Sequence, residues 1–253
     1  MNITSWNVNS LNVRLPHVLQ YLQETAPDVL GLQELKQTDA AIDRAALAAA
    51  GYHLESHGQK TYNGVALLAR EALTDVVRGI PGYADEQARA IAANVGDVRV
   101  LNLYVPNGKA VGDEKYTYKL HWLDAVTRYI DNLKREHPKL VIIGDYNIAP
   151  ADLDVHDPDK WRDKILCSAP ERQALANLLA LGFKDAYRTL HPDSQQFSWW
   201  DYRMGGLRRN IGLRIDLTLT SDALTLADAG INTAPRHWER PSDHAPAWVK
   251  IKG

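Results

Sequence analysis

Short apolar runs alternate with segments of helical periodicity along the whole chain. The apolar runs predict β-strands at residues 2–7, 29–33, 64–69, 90–95, 98–104, 140–144, 213–220 and 246–251. Segments between them predict helices at residues 15–25, 39–50, 116–136 and 169–181. The last helix is the best marked, because Ser168 and Glu171 have capping-box spacing, Pro170 lies in the first turn and Gly182 follows the end.

The connection between two of the predicted strands indicates the fold class. Only Gly96 and Asp97 separate residues 90–95 from residues 98–104, which predicts a hairpin and therefore some antiparallel pairing. Neither a G-x-G-x-x-G turn nor a G-x-x-x-x-G-K-[ST] loop is present, so a dinucleotide or P-loop fold is disfavoured. The pattern favours a mixed α/β sandwich, in which any phosphate chemistry relies on side chains and a metal.

Composition limits the remaining classes. At 253 residues, with 45% hydrophobic and 24% charged residues, we expect one globular domain over residues 1–253 and a monomer. No run approaches the roughly 20 apolar residues that span a bilayer, and no apolar leader is seen, so we expect a cytoplasmic protein without membrane contact. The lone Cys167 excludes an internal disulfide and a cysteine metal cage, and we interpret it as a packing residue.

A net charge of -2 does not by itself indicate a nucleic-acid partner. A local basic segment does exist at residues 203–214. It contains Arg203, Arg208, Arg209 and Arg214 and no acidic residue. A DNA-contacting surface and an ordinary solvated loop both explain this segment.

Polar side chains follow several predicted strands at the point where each strand ends. Asn7 and Glu34 end the first two strands, Asp145 and Asn147 follow residues 140–144, and Asp243 and His244 precede the last strand. Ligands collect at strand ends in α/β folds. This set is rich in oxygen and lacks thiolates, so it predicts a site for Mg²⁺, with Mn²⁺ as the alternative.

Asp216 interrupts an otherwise apolar strand. A buried carboxylate needs a charged or hydrogen-bonding partner, and His244 is the candidate. Such a carboxylate fixes the imidazole tautomer and leaves the other ring nitrogen to face a phosphate oxygen. The alternative is a structural aspartate held by backbone amides.

Together these residues resemble the exonuclease III family of DNA-repair nucleases, within the larger group of exonuclease, endonuclease and phosphatase domains. The resemblance covers essentially the whole chain. The motifs occur in the family's order and are S-W-N-V-N-S (5–10), L-Q-E-L-K (32–36), Y-N-G-V-A (62–66), Y-V-P-N-G (104–108), G-D-Y-N-I-A-P (144–150), P-E-R (170–172), S-W-W-D-Y-R (198–203), G-L-R-I-D (212–216) and P-S-D-H-A-P (241–246).

The resemblance implies a four-layered sandwich, two packed mixed sheets flanked by helices, and a role for each residue at the strand ends. It implies Glu34 as the principal Mg²⁺ ligand, helped by Asn7 and Asn9. The further metal-site residues that it implies are Asp145, Asn147, Asp243 and His244. It also implies catalytic roles. Asp145 would act on the attacking water and Asn147 would hold that water. Tyr104 would contact the scissile phosphate, and the Asp216–His244 pair would neutralise phosphate charge.

The same resemblance implies duplex DNA with abasic sites or blocked 3′ ends as the substrate. The DNA-contacting residues that it implies are Lys36, Tyr62, Asn107, Leu166, Trp199, Trp200 and Arg203. Packing within the protein is the alternative for both tryptophans. The implied activities are 3′-to-5′ exodeoxyribonuclease, 3′-phosphatase and abasic-site endonuclease. Because Leu166 is bulky where the family's loop nears a flipped nucleotide, we expect it to favour work at 3′ ends over abasic-site incision.

Two other functions remain open at this point. A similar catalytic set serves phosphatases of inositol phosphates and phosphodiesterases of sphingolipids, but those enzymes are not expected to carry S-W-W-D-Y-R and G-L-R-I-D. A non-catalytic DNA-binding module is expected to have lost site residues, whereas every expected acid, amide and histidine is present here. Chelation by EDTA separates these classes, because it stops an enzyme of this kind and leaves DNA affinity intact in a binding module.

Overall fold

The structure, a computed structural model, describes residues 1–252. Its strands are β1 (Asn2–Asn7), β2 (Val29–Gln33), β3 (His53–His57), β4 (Val65–Ala69), β5 (Thr74–Arg78), β6 (Ala90–Val95), β7 (Val98–Tyr104), β8 (Leu140–Asp145), β9 (Phe183–Asp185), β10 (Trp199–Trp200), β11 (Gly212–Leu213), β12 (Asp216–Ser221), β13 (Leu226–Ile231) and β14 (Ala247–Ile251). Its α-helices are α1 (Leu11–Thr25), α2 (Arg44–Ala49), α3 (Glu114–Glu136), α4 (Pro158–Trp161), α5 (Ala169–Leu179) and α6 (Ala186–Leu190). Short 3-10 turns lie at Asp39–Ala41, Asp152–Asp154, Arg203–Gly205 and Ala234–His237.

Two mixed six-stranded sheets form the body of the described chain. The first has the order β13-β14-β1-β2-β4-β3, and the second has the order β5-β6-β7-β8-β12-β9. The pairs β1–β2 and β7–β8 are parallel, and the other neighbours are antiparallel. The hairpin predicted at Gly96-Asp97 is present, with Val95 opposite Val98.

The sheets pack face to face, and helices cover their outer faces. Buried aliphatic side chains from both sheets, such as Val65 and Ile143, share one apolar cluster between the layers. A second cluster packs α3 and α5 on the outside of the second sheet, and a third packs α1 on the outside of the first sheet. The predicted four-layered sandwich is therefore confirmed. Among residues 1–252, no helix is both long and apolar enough to cross a bilayer.

A buried polar bridge joins the two sheets. Gln33 of β2 donates to Asn102 of β7 over 2.6 Å and to Ser5 of β1 over 3.0 Å. Asn102 in turn donates to the carbonyls of Leu32 and Ala66 over 2.9 and 2.8 Å. These bonds satisfy side chains that would otherwise be costly to bury, and they tie the first sheet to the second at one position.

Most predicted elements match the structure, with three corrections. The strand predicted at residues 213–220 is two strands, because β11 pairs with β10 while β12 pairs with β8 and β9. The helix predicted at residues 39–50 is a 3-10 turn followed by the shorter α2. Helix α1 begins at Leu11 rather than residue 15, so Pro16 lies inside it and not in its first turn. The predicted capping contact is present, since Glu171 accepts from the Ser168 amide over 3.1 Å.

Candidate active site

The ends of β1, β2, β7, β8 and β12 meet at one edge of the sandwich and bring the predicted polar residues together. Glu34, Asp145 and His244 each offer a ligand atom, and these atoms all lie within 4.8 Å of one another. The first sheet supplies Glu34, while the second supplies Asp145 at the end of β8. The candidate site is therefore built across the interface of the two sheets.

Asn7, buried at the end of β1, connects the two carboxylates. Its Nδ2 donates to Glu34 Oε1 and to Asp145 Oδ2, each over 2.9 Å. Its Oδ1 accepts from the Asn9 amide over 3.0 Å, which fixes the orientation of the side chain. Lys36 lies 2.9 Å from the other oxygen of Glu34, so its ammonium group faces the site.

His244 forms the contact with Asp216 that the sequence predicted. Its Nδ1 lies 2.8 Å from Asp216 Oδ2, and its Nε2 lies 3.7 Å from Asp145 Oδ2. Burial alone would lower the pKa of His244, but the charges of Asp216 and Asp145 outweigh it and raise the pKa to about 10. The imidazole is therefore a cation at neutral pH, and Nε2 is a donor turned toward the site.

The same surroundings set the protonation of Asp145 and Tyr104. Burial raises the pKa of Asp145 to about 7, although the charge of His244 opposes the rise. Such a carboxylate is suited to accept a proton near neutral pH. Burial also raises the pKa of Tyr104 well above its usual value, and the charges of Glu34 and Asp145 raise it further. The Tyr104 hydroxyl therefore keeps its proton and can donate to an anion.

Hydrogen bonds to both the backbone and the side chain fix Asn147 beside Asp145. Its backbone amide donates to Asp145 Oδ1 over 2.9 Å, and its side-chain Nδ2 donates to the Val105 carbonyl over 3.0 Å. Asn107 donates to its Oδ1 over 3.2 Å. The backbone of Asn147 is left-handed, with φ 48°, as is that of Glu34, with φ 55°. This conformation is readily adopted by asparagine and is costly for glutamate, so Glu34 depends on its surroundings to keep it.

Asp243 lies to one side of this cluster. Its Oδ1 accepts from Asn9 Nδ2 and its Oδ2 accepts from Trp199 Nε1, each over 3.0 Å. Burial would raise the pKa of Asp243, but the His244 charge and these two donors outweigh it and lower the pKa. Asp243 is thus a carboxylate next to Asn9, outside the Glu34–Asp145–His244 group.

A groove of about 490 Å³ opens beside Tyr104 and contains part of the predicted DNA-contacting set. Tyr62, 67% exposed, and Asn107 line it. Arg89 also lines it, with its guanidinium carbon 4.8 Å from the centre of the Tyr104 ring. Arg89 is not among the residues predicted from the sequence. The only signal for it is a charged residue directly before the apolar strand β6.

The tryptophan pair divides between two environments. Trp199 is partly exposed and packs against the apolar cluster that contains Leu166 and Ile215. Trp200 is 3% exposed and packs in another cluster with Phe197. The prediction that Trp200 contacts DNA is therefore corrected, since its ring offers almost no surface, and the packing alternative applies to it. Leu166 is 4% exposed, so its predicted contact with DNA is corrected in the same way, and it can act only by filling space behind Trp199.

The basic segment is also smaller than the sequence suggested. Arg203, Arg208 and Arg209 are exposed. Arg214 is 1% exposed and forms ion pairs of 2.7 Å with Asp154 and with Asp185. It belongs to the interior of the protein and contributes no charge to a DNA-facing surface.

The residues present fit a divalent cation. Two carboxylates from different sheets, Glu34 and Asp145, converge and are joined by the Nδ2 group of Asn7, whose Oδ1 is engaged by the Asn9 amide; the oxygen donors are therefore the carboxylates. Such an oxygen-rich donor set suits a hard cation. The Nδ1 of His244 is already engaged by Asp216, and the raised pKa keeps its Nε2 protonated, which favours a hydrogen-bonding role over a ligand role.

Comparison with known proteins agrees with this geometry. The pattern of the endonuclease/exonuclease/phosphatase family matches residues 4–244. The chain belongs to this family. Within the family, it is 39% identical to exodeoxyribonuclease III of Haemophilus influenzae over the whole of both chains.

Two solved structures of the family superpose over their full length and that of this chain. The 3′ phosphatase NExo from Neisseria, bound to product DNA hairpin, is 47% identical with a TM-score of 0.99. An AP endonuclease from Archaeoglobus fulgidus is 35% identical with a TM-score of 0.97. The predicted resemblance is confirmed, and the chain is a metal-dependent phosphodiester hydrolase of the exonuclease III type that processes DNA.

Proposed function

We propose that the protein is a Mg²⁺-dependent repair nuclease that acts as a monomer on duplex DNA. Its activities would be 3′-to-5′ exonuclease and 3′-phosphatase, with abasic-site incision limited by Leu166. The observation that carries the proposal is the pairing across the sheets, in which Asn7 joins Glu34 to Asp145 and Asp216 anchors His244. The solved 3′ phosphatase from Neisseria, with its DNA hairpin, supports the choice of 3′ ends as the substrate.

The proposed chemistry is in-line attack of water on a phosphodiester or a 3′-phosphate. Glu34 and Asp145, with Asn7 and Asn9 near them, would hold Mg²⁺, which supplies Lewis-acid stabilisation of phosphate charge. Asp145, whose carboxylate is oriented by donors from Asn7 and from the Asn147 backbone, positions the water and takes its proton. Asn147, fixed against Asp145 Oδ1, holds the water in place.

Two protonated groups would neutralise charge on the reacting phosphate. His244 donates from Nε2 and carries a positive charge, which offsets the charge that develops in the transition state. Tyr104 keeps its proton and donates to a non-bridging oxygen. Asp216 keeps the imidazole oriented and charged through the 2.8 Å contact with Nδ1.

Selection among DNA ends would take place beside Trp199. Leu166 is buried in the apolar cluster against which Trp199 packs, so its side chain fills space beside that ring. An abasic sugar flipped from the duplex would need such space. Tyr62 and Arg203, both exposed, would contact the duplex on either side.

The test uses purified protein with Mg²⁺ on two end-labelled duplexes resolved on a denaturing gel. One duplex carries an internal abasic analogue, and the other carries a recessed 3′-phosphate. We expect removal of the phosphate and shortening of the 3′ end, with little internal cleavage. Internal cleavage as fast as 3′-end removal would contradict the role given to Leu166. EDTA should stop all activity without abolishing DNA binding.

A variant separates the effect of Leu166 from that of the rest of the site. We expect Leu166→Gly to raise internal incision while 3′-phosphate removal changes little. Glycine suits the left-handed backbone at this position, with φ 72°, so the backbone is not strained by the change. An unchanged incision rate in a folded variant would remove Leu166 from the account of specificity. Replacing Mg²⁺ by Mn²⁺ in the same assay identifies the preferred metal.

A further inference from the structure

A fully buried lysine lies directly behind the candidate site. Lys119, on α3, has an exposed fraction of 0%. Its Nζ donates to the Asn147 carbonyl over 2.6 Å and to the Asn107 carbonyl over 3.2 Å. Its remaining contact is an ion pair of 2.5 Å with Glu171 Oε1, at the start of α5. Lys119 therefore touches the backbone of both loops whose amide side chains meet at the site.

Glu171, also with an exposed fraction of 0%, extends the connection to a third loop. Its Oε1 accepts from the Leu166 amide over 3.1 Å, in addition to the Lys119 ammonium. Its Oε2 accepts from the Ser168 amide over 3.1 Å and from the Ser168 hydroxyl over 2.6 Å. The capping role predicted for Glu171 therefore uses one carboxylate oxygen, and the other oxygen joins Lys119 to the loop that carries Leu166.

Each member of the pair holds a residue with a left-handed backbone. Asn147 and Leu166 have φ values of 48° and 72°, a region that asparagine adopts more readily than other non-glycine residues and that leucine rarely adopts. Lys119 bonds the carbonyl of Asn147, and Glu171 bonds the amide of Leu166. The two loops also contact each other, since the Ala149 amide donates to the Leu166 carbonyl over 2.8 Å. Such conformations persist only where surrounding contacts over-determine them.

Stability alone is a poor explanation for a buried ion pair. Removing two charges from water costs about as much as their attraction returns, and apolar replacements are often neutral or better. A second lysine of α3 provides the comparison. Lys134 donates to the carbonyls of Leu181 and Gly182, between α5 and β9 and far from the site. It lies 15 residues further along the same helix, or about 22 Å.

We propose that Lys119 and Glu171 are a positioning pair, which holds Asn147 beside Asp145 and Leu166 beside Trp199 in a single arrangement. Neither side chain touches DNA or the reacting atoms, so the pair sets the turnover of bound DNA and not its affinity. This role refines the proposed function, and its kinetic test rests on that function.

The test compares a charge-balanced double variant with a matched control. Lys119→Met together with Glu171→Gln removes both charges, keeps side-chain size and leaves no buried ion unpaired. Lys134→Met removes a lysine of the same helix that also bonds two carbonyls. For each protein, the melting temperature is measured with kcat and KM for phosphate release from a hairpin duplex bearing a 3′-phosphate.

We expect the double variant to keep KM within about twofold of wild type while kcat falls by about tenfold to 100-fold. A fall of this size is typical when reacting groups are displaced by a small distance. Lys134→Met should lower the melting temperature and leave kcat within about twofold of wild type. The proposal is overturned if the double variant keeps its kcat, if only KM changes, or if Lys134→Met lowers kcat equally. If the double variant does not fold, Glu171→Gln alone is judged by the same criteria.

Hydrogen exchange provides a readout that does not depend on activity. The Leu166 amide should exchange at least about tenfold faster in the double variant than in wild type, because its acceptor is weakened. Unchanged exchange would overturn the positioning role. Wild-type protein that processes no DNA would instead overturn the proposed function, and the exchange measurement would still decide the role of the pair.

Discussion

Replacing Asp216 with asparagine tests the charge state of His244 with little change in shape. Asp216 Oδ2 accepts from His244 Nδ1, and an asparagine oxygen can keep that hydrogen bond. The backbone amide of Asp216 is held by Ser198 Oγ over 3.0 Å, so the position of the residue does not depend on its charge. The substitution therefore removes a negative charge while keeping the imidazole oriented.

The magnitude follows from the pKa of His244. A rise from the ordinary value of 6.5 to about 10 corresponds to about 5 kcal/mol in favour of the imidazolium, since one pKa unit is about 1.4 kcal/mol. Asp216 contributes the largest part of this rise, and Asp145 and Asp243 contribute to it as well. In Asp216→Asn the pKa of His244 should fall, while the remaining carboxylates keep it above what burial alone would give.

The first assay is the pH dependence of kcat with Mg²⁺ present. The second is an NMR titration of the imidazole in metal-free protein. Wild-type activity should not be lost through His244 as pH rises until about pH 10, whereas in Asp216→Asn the loss on raising the pH should begin at a lower pH. Removing one such charge typically costs about 100-fold or more in kcat once the imidazole is neutral. An imidazole that titrates at the same pH in both proteins would refute the electrostatic role of Asp216.

Folding stability gives an independent check on the same pKa. The folded-state pKa of His244 is raised, so its contribution to the free energy of unfolding is fully present below pH 6.5 and is lost as pH rises toward about 10. In metal-free protein this loss should be smaller for Asp216→Asn than for wild type, when both are measured by urea unfolding. Parallel profiles for the two proteins would again contradict the assignment.

Further predictions concern the metal, the thiol and a buried ion pair. Burial raises the pKa of Asp145 to about 7, and metal binding needs the carboxylate. The rise in melting temperature caused by Mg²⁺ should therefore be larger at about pH 8 than at about pH 6, and it should vanish in Glu34→Gln. Equal rises at the two pH values would contradict this prediction. Burial raises the pKa of Cys167 to about 11, so native protein should react with a thiol reagent at least about 100-fold more slowly than unfolded protein, and equal rates would show an accessible thiol. Arg214→Met should lower the free energy of unfolding by about 3 kcal/mol, because Asp185 loses its ion pair and the buried Asp154 keeps only Arg188. Arg128→Met, in an exposed pair, should cost less than about 1 kcal/mol, and similar losses would refute the distinction.

Local patterns were sufficient for most of the fold and for the centre of the site. Apolar runs located nine of the fourteen strands and missed β3, β5, β9, β10 and β13. The ends of the located strands indicated Glu34, Asp145 and His244. The contact between Asp216 and His244 could be predicted because a carboxylate inside an apolar strand needs a partner. These inferences succeed because each depends on a few neighbouring residues and on one general physical requirement.

The predictions failed where a residue's surroundings come from distant segments. Arg214 looked like part of a basic surface, but its partners Asp154 and Asp185 lie some distance away in the sequence. The apolar run at residues 213–220 is continuous, yet the chain changes its pairing partner between Leu213 and Asp216. Lys119 lies in an amphipathic helix, and nothing local distinguishes a buried lysine from a solvated one.

The division of the site between two sheets has a consequence for activity. Asn7 and Glu34 come with the first sheet, while Tyr104, Asp145 and Asp216 come with the second. Neither sheet alone carries the full set of reacting groups, so activity requires the two sheets to be docked. The Gln33–Asn102 bridge lies within that contact, and catalytic competence is therefore a property of the sheet–sheet interface.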